Sequence, residues 1–130
     1  MAANTSPIFE LTPKNAGVQI VPADTTAKKT VYTGGTNGSR IDQLTVTSND
    51  TAAVTLMWYK TVSAVDYHIG DTVIPIGAGY TSVALVDAIL TLSPTLVYLV
   101  LASGEILKVA ALATVTAAKT VDIVAQLGDY

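Results

Sequence analysis

The amino-acid sequence predicts an all-β protein, an antiparallel β-sandwich of about eight strands and, more specifically, a jelly roll. Short runs of β-branched and aromatic residues alternate with turns rich in Gly, Pro and Asn, a pattern typical of sandwiches rather than of alternating helices and strands. Half of the residues are hydrophobic and only 13% are charged, so the chain has the composition of a folded protein. A length of 130 residues suits a single domain.

The N-terminal segment, residues 1–16, is predicted to be an extended arm, and residues 17–130 are predicted to form the sandwich domain. Pro7 and Pro13 prevent a long strand in the arm. A frayed terminus is the alternative, but three large apolar side chains favour docking on a partner. The candidate partner-binding residues are Ile8, Phe9 and Leu11.

The first half of the domain contains three predicted strands. Residues 18–21 and 30–32 are the first two, and the glycine-rich residues 34–38 predict a tight hairpin turn. Residues 39–48 form the third strand. Its apolar alternation changes phase near residues 42–43, which predicts a β-bulge there.

The middle of the chain contains one clear strand and one ambiguous segment. Residues 54–62 predict a central strand, and residues 67–76 predict a strand or a pair ended by Pro75. Residues 83–92 fit both a helical stripe and a strand, and we expect them to be mostly extended.

The last third predicts a hairpin and a final strand. Residues 96–101 and 106–111 form the hairpin, and residues 120–127 alternate apolar and polar side chains. We expect the core of the sandwich to contain Leu56, Trp58, Leu107, Val109, Val121 and Ile123.

No catalytic, cofactor or metal motif is recognisable. The chain has no Cys and a single histidine, His68, which excludes cysteine-type zinc sites and thiol chemistry. The glycine cluster lacks the Lys of a phosphate-binding loop. A glycosidase pair among the scattered carboxylates remains an alternative, but 6% aromatic residues would line a sugar cleft poorly. We predict that the protein is not an enzyme and needs no cofactor.

The charge pattern argues against nucleic acid and membranes as partners. The formal net charge is −3, whereas nucleic-acid binding depends on clustered Lys and Arg. The basic pair Lys28 and Lys29 is interpreted as a solvated turn. Residues 1–7 lack the features of a signal peptide, and no apolar run is long enough to span a membrane. We therefore expect synthesis in a cytoplasm.

Three segments together resemble a known family. They are VYTGGTNGSRI at residues 31–41, TVIPI at residues 72–76 and VTAAKTVDIVAQLGDY at residues 115–130. These segments resemble the small head proteins of tailed bacteriophages called decoration, cement or stabilisation proteins. The likeness begins near residue 31 and leaves the first 30 residues unmatched.

The resemblance implies a structural virion protein rather than an enzyme. Such a protein binds the outer surface of an icosahedral capsid and reinforces contacts between capsomers. Its expected partners are the major capsid protein of a tailed phage and a second copy of itself, as a homodimer or a trimer. Its expected location is the capsid exterior of the virion, after synthesis in the host cytoplasm.

Two other functions are compatible with the sequence. A phage tail or baseplate β-protein is also structural and would expose a strand edge for ring formation. A carbohydrate-binding module would need an aromatic platform. Its candidates are Trp58, Tyr59 and Tyr67.

Overall fold

A computed structural model describes residues 12–80, 82–92 and 98–130, which form two antiparallel sheets and confirm the predicted sandwich. Sheet A has the strand order β1–β9–β3, with β6 and β7 both pairing with β3, and sheet B has the order β2–β8–β4–β5. The nine strands of this part of the chain are β1 (Thr12–Ile20), β2 (Lys29–Thr33), β3 (Ser39–Ser48), β4 (Val54–Val62), β5 (Val65–Ile74), β6 (Val86–Asp87), β7 (Leu99–Leu101), β8 (Ile106–Ala111) and β9 (Val121–Asp129).

The core lies between the two sheets and is built from the inward-facing residues of each strand. All six predicted core residues are buried. Trp58 is 0% exposed, and its indole Nε1 donates a hydrogen bond to Thr72 Oγ1 at 3.1 Å. This bond satisfies the one polar group of the ring, so that the whole side chain can be buried without an unpaired donor.

The predicted bulge and the predicted central strand are both confirmed. The pairing of β3 with β9 passes from Ile41 opposite Leu127 to Gln43 opposite Gln126, so Asp42 is the extra residue. The bulge lets apolar residues on both sides of it face the core. β4 lies between β8 and β5.

The predicted hairpin at residues 34–38 is wrong. The strand before it, β2, belongs to sheet B, and the strand after it, β3, belongs to sheet A, so the turn carries the chain from one sheet to the other. Glycine is required for two reasons: Gly38 has a φ of +90°, and a Cβ at Gly34 would clash with the carbonyl oxygen of Ala102.

The predicted hairpin of residues 96–101 and 106–111 is also wrong. β7 pairs with β3 in sheet A, whereas β8 pairs with β2 and β4 in sheet B. The turn between them is a second crossing, and it is bonded to the first: Gly34 N–H donates to Glu105 O at 2.7 Å and Gly104 N–H donates to Gly34 O at 3.2 Å. A turn signal in the sequence indicates a reversal but not which sheet the chain enters next.

Residues 83–92 are only partly extended. Val86 and Asp87 form β6, and Ile89–Leu92 form a short helix, α1. Asp87 Oδ1 accepts hydrogen bonds from the N–H groups of Leu44 and Ile89, each at 3.1 Å. One carboxylate therefore attaches this segment to β3 and starts the helix, which explains why both patterns are present.

The first strand begins earlier than the sequence indicated. β1 starts at Thr12 and pairs along its length with β9, so residues 12–16 of the predicted arm are part of sheet A. The candidate partner-binding residues Ile8, Phe9 and Leu11 lie outside the described residues.

Replacing Ile123 with Asp should unfold the domain. The side chain of Ile123 is buried in β9, and an unpaired buried carboxylate costs several kcal/mol against a total stability of about 5–15 kcal/mol. Circular dichroism during heating measures the loss. The matched control is Val124→Asp, one residue along the same strand and 45% exposed, which should melt close to the wild type. Equal melting of the two variants would contradict the assigned face of β9.

Candidate interaction surfaces

The carboxylate of Asp129 joins four elements at one end of the sandwich. It forms an ion pair with Lys14 Nζ at 2.7 Å, and it accepts hydrogen bonds from Ser39 Oγ at 2.5 Å and Tyr32 OH at 2.9 Å. Gly35 N–H in turn donates to Ser39 Oγ at 2.9 Å. We call these five residues the Asp129 cluster. Because Tyr32 lies on β2, the cluster connects sheet B to three strands of sheet A.

The electrostatics of the Asp129 cluster favour the ionised carboxylate. Lys14 first, then Ser39 and Tyr32, hold the pKa of Asp129 below its ordinary value. The same carboxylate raises the pKa of Lys14, and burial together with Asp129 raises the pKa of Tyr32. The cluster is therefore a structural ion pair with hydrogen bonds on both oxygens, which is the arrangement that a partly buried charge requires.

A second carboxylate, Asp50, ties two loops together at the opposite end. It accepts hydrogen bonds from Thr116 N–H at 3.0 Å, Thr116 Oγ1 at 2.6 Å and Ala52 N–H at 3.0 Å. Burial opposes ionisation, but these bonds outweigh it and lower the pKa of Asp50. An open depression of about 270 Å³ lies beside it, lined also by Thr55 and Leu112. The carboxylate is already satisfied, so it does not offer this depression a free acid or base.

The outer face of sheet B carries a charged and aromatic group. Asp66 forms ion pairs with Lys28 at 3.0 Å and Lys108 at 3.2 Å and accepts a hydrogen bond from Thr61 at 2.5 Å. These partners lower the pKa of Asp66, Thr61 having the largest effect. Lys28 Nζ also lies 4.1 Å from the ring centroid of Tyr59.

Lys28 lies in an exposed loop, in line with the predicted solvated turn, and Lys29 is the first residue of β2. Lys28 binds Asp66 across the sheet. Lys29 Nζ contacts Asp24 at 3.0 Å and donates to the carbonyl oxygen of Gln19 at 2.6 Å. Each ammonium group has a local partner, so the pair is not a free basic patch for phosphate groups.

The outer face of sheet A is different because its centre carries no charged side chain. Strand pairing arranges the outward-facing residues of β1, β9 and β3 in four rows across the sheet. We call the central two rows the neutral face: Asn15, Gln126 and Gln43 in one row, and Gly17, Val124 and Thr45 in the next. Charged residues border these rows: Asp122 and Arg40 lie at their ends, and Asp42 and Asp87 lie beside Gln43 and Thr45.

A loop with exposed apolar side chains borders the neutral face. Gly79 packs against Thr47 of β3, where a Cβ would clash with the Thr side chain, and Ser48 N–H donates to Ala78 O at 2.9 Å. The loop is therefore held in place on sheet A. Its exposed apolar side chains are Ile76, Tyr80, Val83 and Leu85. Clustered exposed apolar residues of this kind are typical of contact surfaces.

The described residues bring together few groups with chemical reactivity. His68 Nε2 lies 2.6 Å from Asp71 Oδ1 on an exposed strand, and no Ser or Thr is bonded to this pair in the part of the chain described. In residues 12–80, 82–92 and 98–130, no three His, Asp or Glu side chains meet as a metal site requires. No helix in this part of the chain is long and apolar enough to cross a bilayer.

The neutral face was not identified from the sequence, because its residues come from three strands that are far apart in the chain. The alternation of residues along β9 was a usable signal, since it predicted Gln126 as outward-facing. Which strands lie beside β9 depends on contacts between distant residues.

Comparison of the chain with protein-family models and with curated proteins gives no match.

Lowering the pH should destabilise the protein through the carboxylates described above. The folded pKa values of Asp129 and Asp50 lie below their unfolded values, so their contribution is complete above about pH 5 and is lost as the pH falls through the folded values. Asp129→Asn should cost about 1–3 kcal/mol at pH 7 and should flatten this pH dependence. Urea unfolding at pH 7 and pH 3 measures both effects.

The control is Asp42→Asn, which removes an exposed carboxylate next to Arg40 and should change stability by less than about 0.5 kcal/mol. An Asp129→Asn variant with the pH dependence of the wild type would show that the cluster contributes little to folding.

Proposed function

We propose that the protein is a structural component of a tailed-phage virion that binds the outer surface of the icosahedral capsid and reinforces contacts between capsomers. The observation that carries the proposal is the neutral face with its apolar border. Such a surface can be covered by a partner without removing charges from water, which is the main cost of polar contacts. The likeness of residues 31–41, 72–76 and 115–130 to phage head decoration proteins supports the same function.

Weak contacts are sufficient for this role because a capsid repeats its binding sites. An exposed polar pair contributes little, about 0–1 kcal/mol. Copies that also contact one another bind with increased avidity. The proposed partners are therefore the major capsid protein and a second copy of this chain, as a homodimer or a trimer, and not nucleic acid or a membrane. The proposed location is the capsid exterior, after synthesis in the host cytoplasm.

The start of β1 supports a role for the N-terminal arm. Lys14 is held by Asp129, so the first described residues of β1 are fixed at one end of sheet A. Ile8, Phe9 and Leu11 precede this point by a few residues. We propose that these three side chains contact the capsid or a neighbouring copy.

The strand order favours a jelly roll as the finer description of the sandwich. Consecutive long strands alternate between sheets: β1 and β3 lie in sheet A, and β2 and β4 lie in sheet B. The return path also alternates, since β7 and β9 lie in sheet A around β8 in sheet B. Two Greek keys wound together in this manner make a jelly roll, which is a frequent fold of capsid proteins.

The alternative functions have less support. A tail or baseplate protein would use the same kind of neutral surface, and its location in the particle distinguishes it. For a carbohydrate-binding module, Trp58 cannot serve as the aromatic platform, because its side chain is fully buried. Of its remaining candidates, Tyr59 is partly covered by Lys28, which leaves Tyr67 as an exposed ring.

A charge on the neutral face should weaken binding to capsids. The change is Val124→Lys, which adds an ammonium group that a covered surface would have to desolvate. Cosedimentation with shells assembled from the major capsid protein of the same phage should show at least about tenfold weaker binding, equivalent to 1.4 kcal/mol. The control is Val73→Lys on the outer face of sheet B, where the side chain is 64% exposed. Equal binding of both variants, or binding of the wild type to tails alone, would contradict the proposal.

Removing the apolar side chains of the arm should reduce retention on shells without lowering the melting temperature. The variant combines Ile8→Ala, Phe9→Ala and Leu11→Ala, and each buried side chain is worth about 1.5–3 kcal/mol before the cost of ordering the arm. Washing of loaded shells measures the dissociation rate. Leu90→Ala, at an exposed position of α1, is the control. Unchanged retention of the triple variant would make the arm dispensable.

A further inference from the structure

β1 is an edge strand, and the direction of its backbone groups can be assigned. Leu44 and Ser48 direct their N–H groups away from β9, to Asp87 and Ala78, so the alternate β3 residues, such as Thr45, bond to β9. Thr45 is opposite Val124, which therefore turns its backbone groups to β3, while its neighbours Ile123 and Ala125 turn theirs to β1.

Their partners on β1 are Val18 and Ala16, so the even-numbered residues of β1 bond to β9. The backbone groups of the odd-numbered residues consequently face the open edge of sheet A. Lys29 confirms this direction independently, because its Nζ approaches the carbonyl oxygen of Gln19 from that side at 2.6 Å.

The open edge is blocked at two points and free between them. Pro13 has no N–H group to donate, and the carbonyl oxygen of Gln19 already accepts from Lys29. Within the part of the chain that the structure describes, both groups of Asn15 and Gly17 remain available, together with the carbonyl oxygen of Pro13 and the N–H of Gln19. Asn15 and Gly17 are exposed.

We infer that this edge pairs with the same edge of a second copy, antiparallel and about a two-fold axis at Ala16. In this register Asn15 faces Gly17 of the second copy, and each pair exchanges two hydrogen bonds. Pro13 faces Gln19 of the second copy, so the missing N–H is opposite the carbonyl oxygen that Lys29 already satisfies. The position without a donor on one copy therefore lies opposite the position without a free acceptor on the other.

Neighbouring registers leave groups unpaired or in competition. An axis at Asn15 places Pro13 opposite Gly17, whose carbonyl oxygen then has no donor. An axis at Gly17 or Val18 directs an N–H group to the carbonyl oxygen of Gln19, which Lys29 already occupies. Only the register centred on Ala16 satisfies every free group of the edge from Pro13 to Gln19.

The side chains fit the same register. On the outer face, Asn15 meets Gly17, which has no side chain and open space around its Cα. On the inner face, Ala16 meets Ala16 and Lys14 meets Val18, so like charges are not opposed. The paired edges would make sheet A and its neutral face continuous across two copies.

This interface deepens the homodimer part of the proposed function, but it can be tested on the isolated protein without capsids. The chain has no Cys, so Ala16→Cys introduces a single thiol. In a non-hydrogen-bonded antiparallel pair the two Cα atoms lie about 4.5 Å apart, within the range of about 4.4–6.8 Å for a disulfide. Val18→Cys is the matched control on the same face of β1. Its two copies would lie roughly 13 Å apart along the strands, too far to be bridged.

After mild oxidation, the Ala16→Cys protein should run as a covalent dimer on a denaturing, non-reducing gel. The Val18→Cys protein should run as a monomer on the same gel, because its thiols are too far apart to be cross-linked. Light scattering at high concentration should show a dimer for the wild type. It should show a monomer for Asn15→Pro combined with Gly17→Pro, which removes outward N–H groups that β9 does not use. A wild-type monomer, or a dimer in which residue 16 does not cross-link, would overturn the interface. Neither result would depend on whether the protein binds capsids.

Discussion

The ion pair and hydrogen bonds at the Asp129 carboxylate hold the two sheets together at one end of the sandwich, and this end of the fold depends on them. Ser39 and Tyr32, which precede Asp129 by 90 and 97 positions in the chain, both donate to this one group. The carboxylate is only 14% exposed, and its charge is tolerated because Lys14, Ser39 and Tyr32 all donate to it. Gly35 has to be glycine here, since a Cβ would lie 2.9 Å from the carboxyl carbon.

The same cluster determines the surface that the protein presents. Lys14 holds the beginning of β1 against the end of β9, and this fixes the pairing register of β1 at one end. At the other end, Lys29 holds Gln19. Because a shift of one residue would exchange the two faces of the strand, these contacts keep Asn15 and Gly17 outward on the neutral face and Ala16 inward.

How much was predictable depended on the range of the interaction. The bulge at Asp42 was predicted because the phase change on β3 is local, and the core positions of β4 and β9 followed from alternation. The two hairpins were predicted wrongly because both turns cross between sheets, and their mutual bonds, such as Gly34 N–H to Glu105 O, join residues far apart in sequence. The helical turn at residues 89–92 depends on the Asp87 carboxylate, which also binds β3, so no local pattern could distinguish it from a strand. The neutral face could not be predicted, because its residues come together only through the order of the strands in sheet A.

An edge strand with free backbone groups is a hazard for a protein present at high local concentration, because it can template open-ended association. β1 limits the hazard by shortening the free edge to the segment between Pro13 and Gln19, which leaves room for one antiparallel partner in one register. A two-fold pairing also consumes the edge on both copies, so assembly closes at a dimer instead of continuing into a fibre. The same residues that restrict association therefore specify its geometry, and the neutral face that results is twice as wide as one copy can offer.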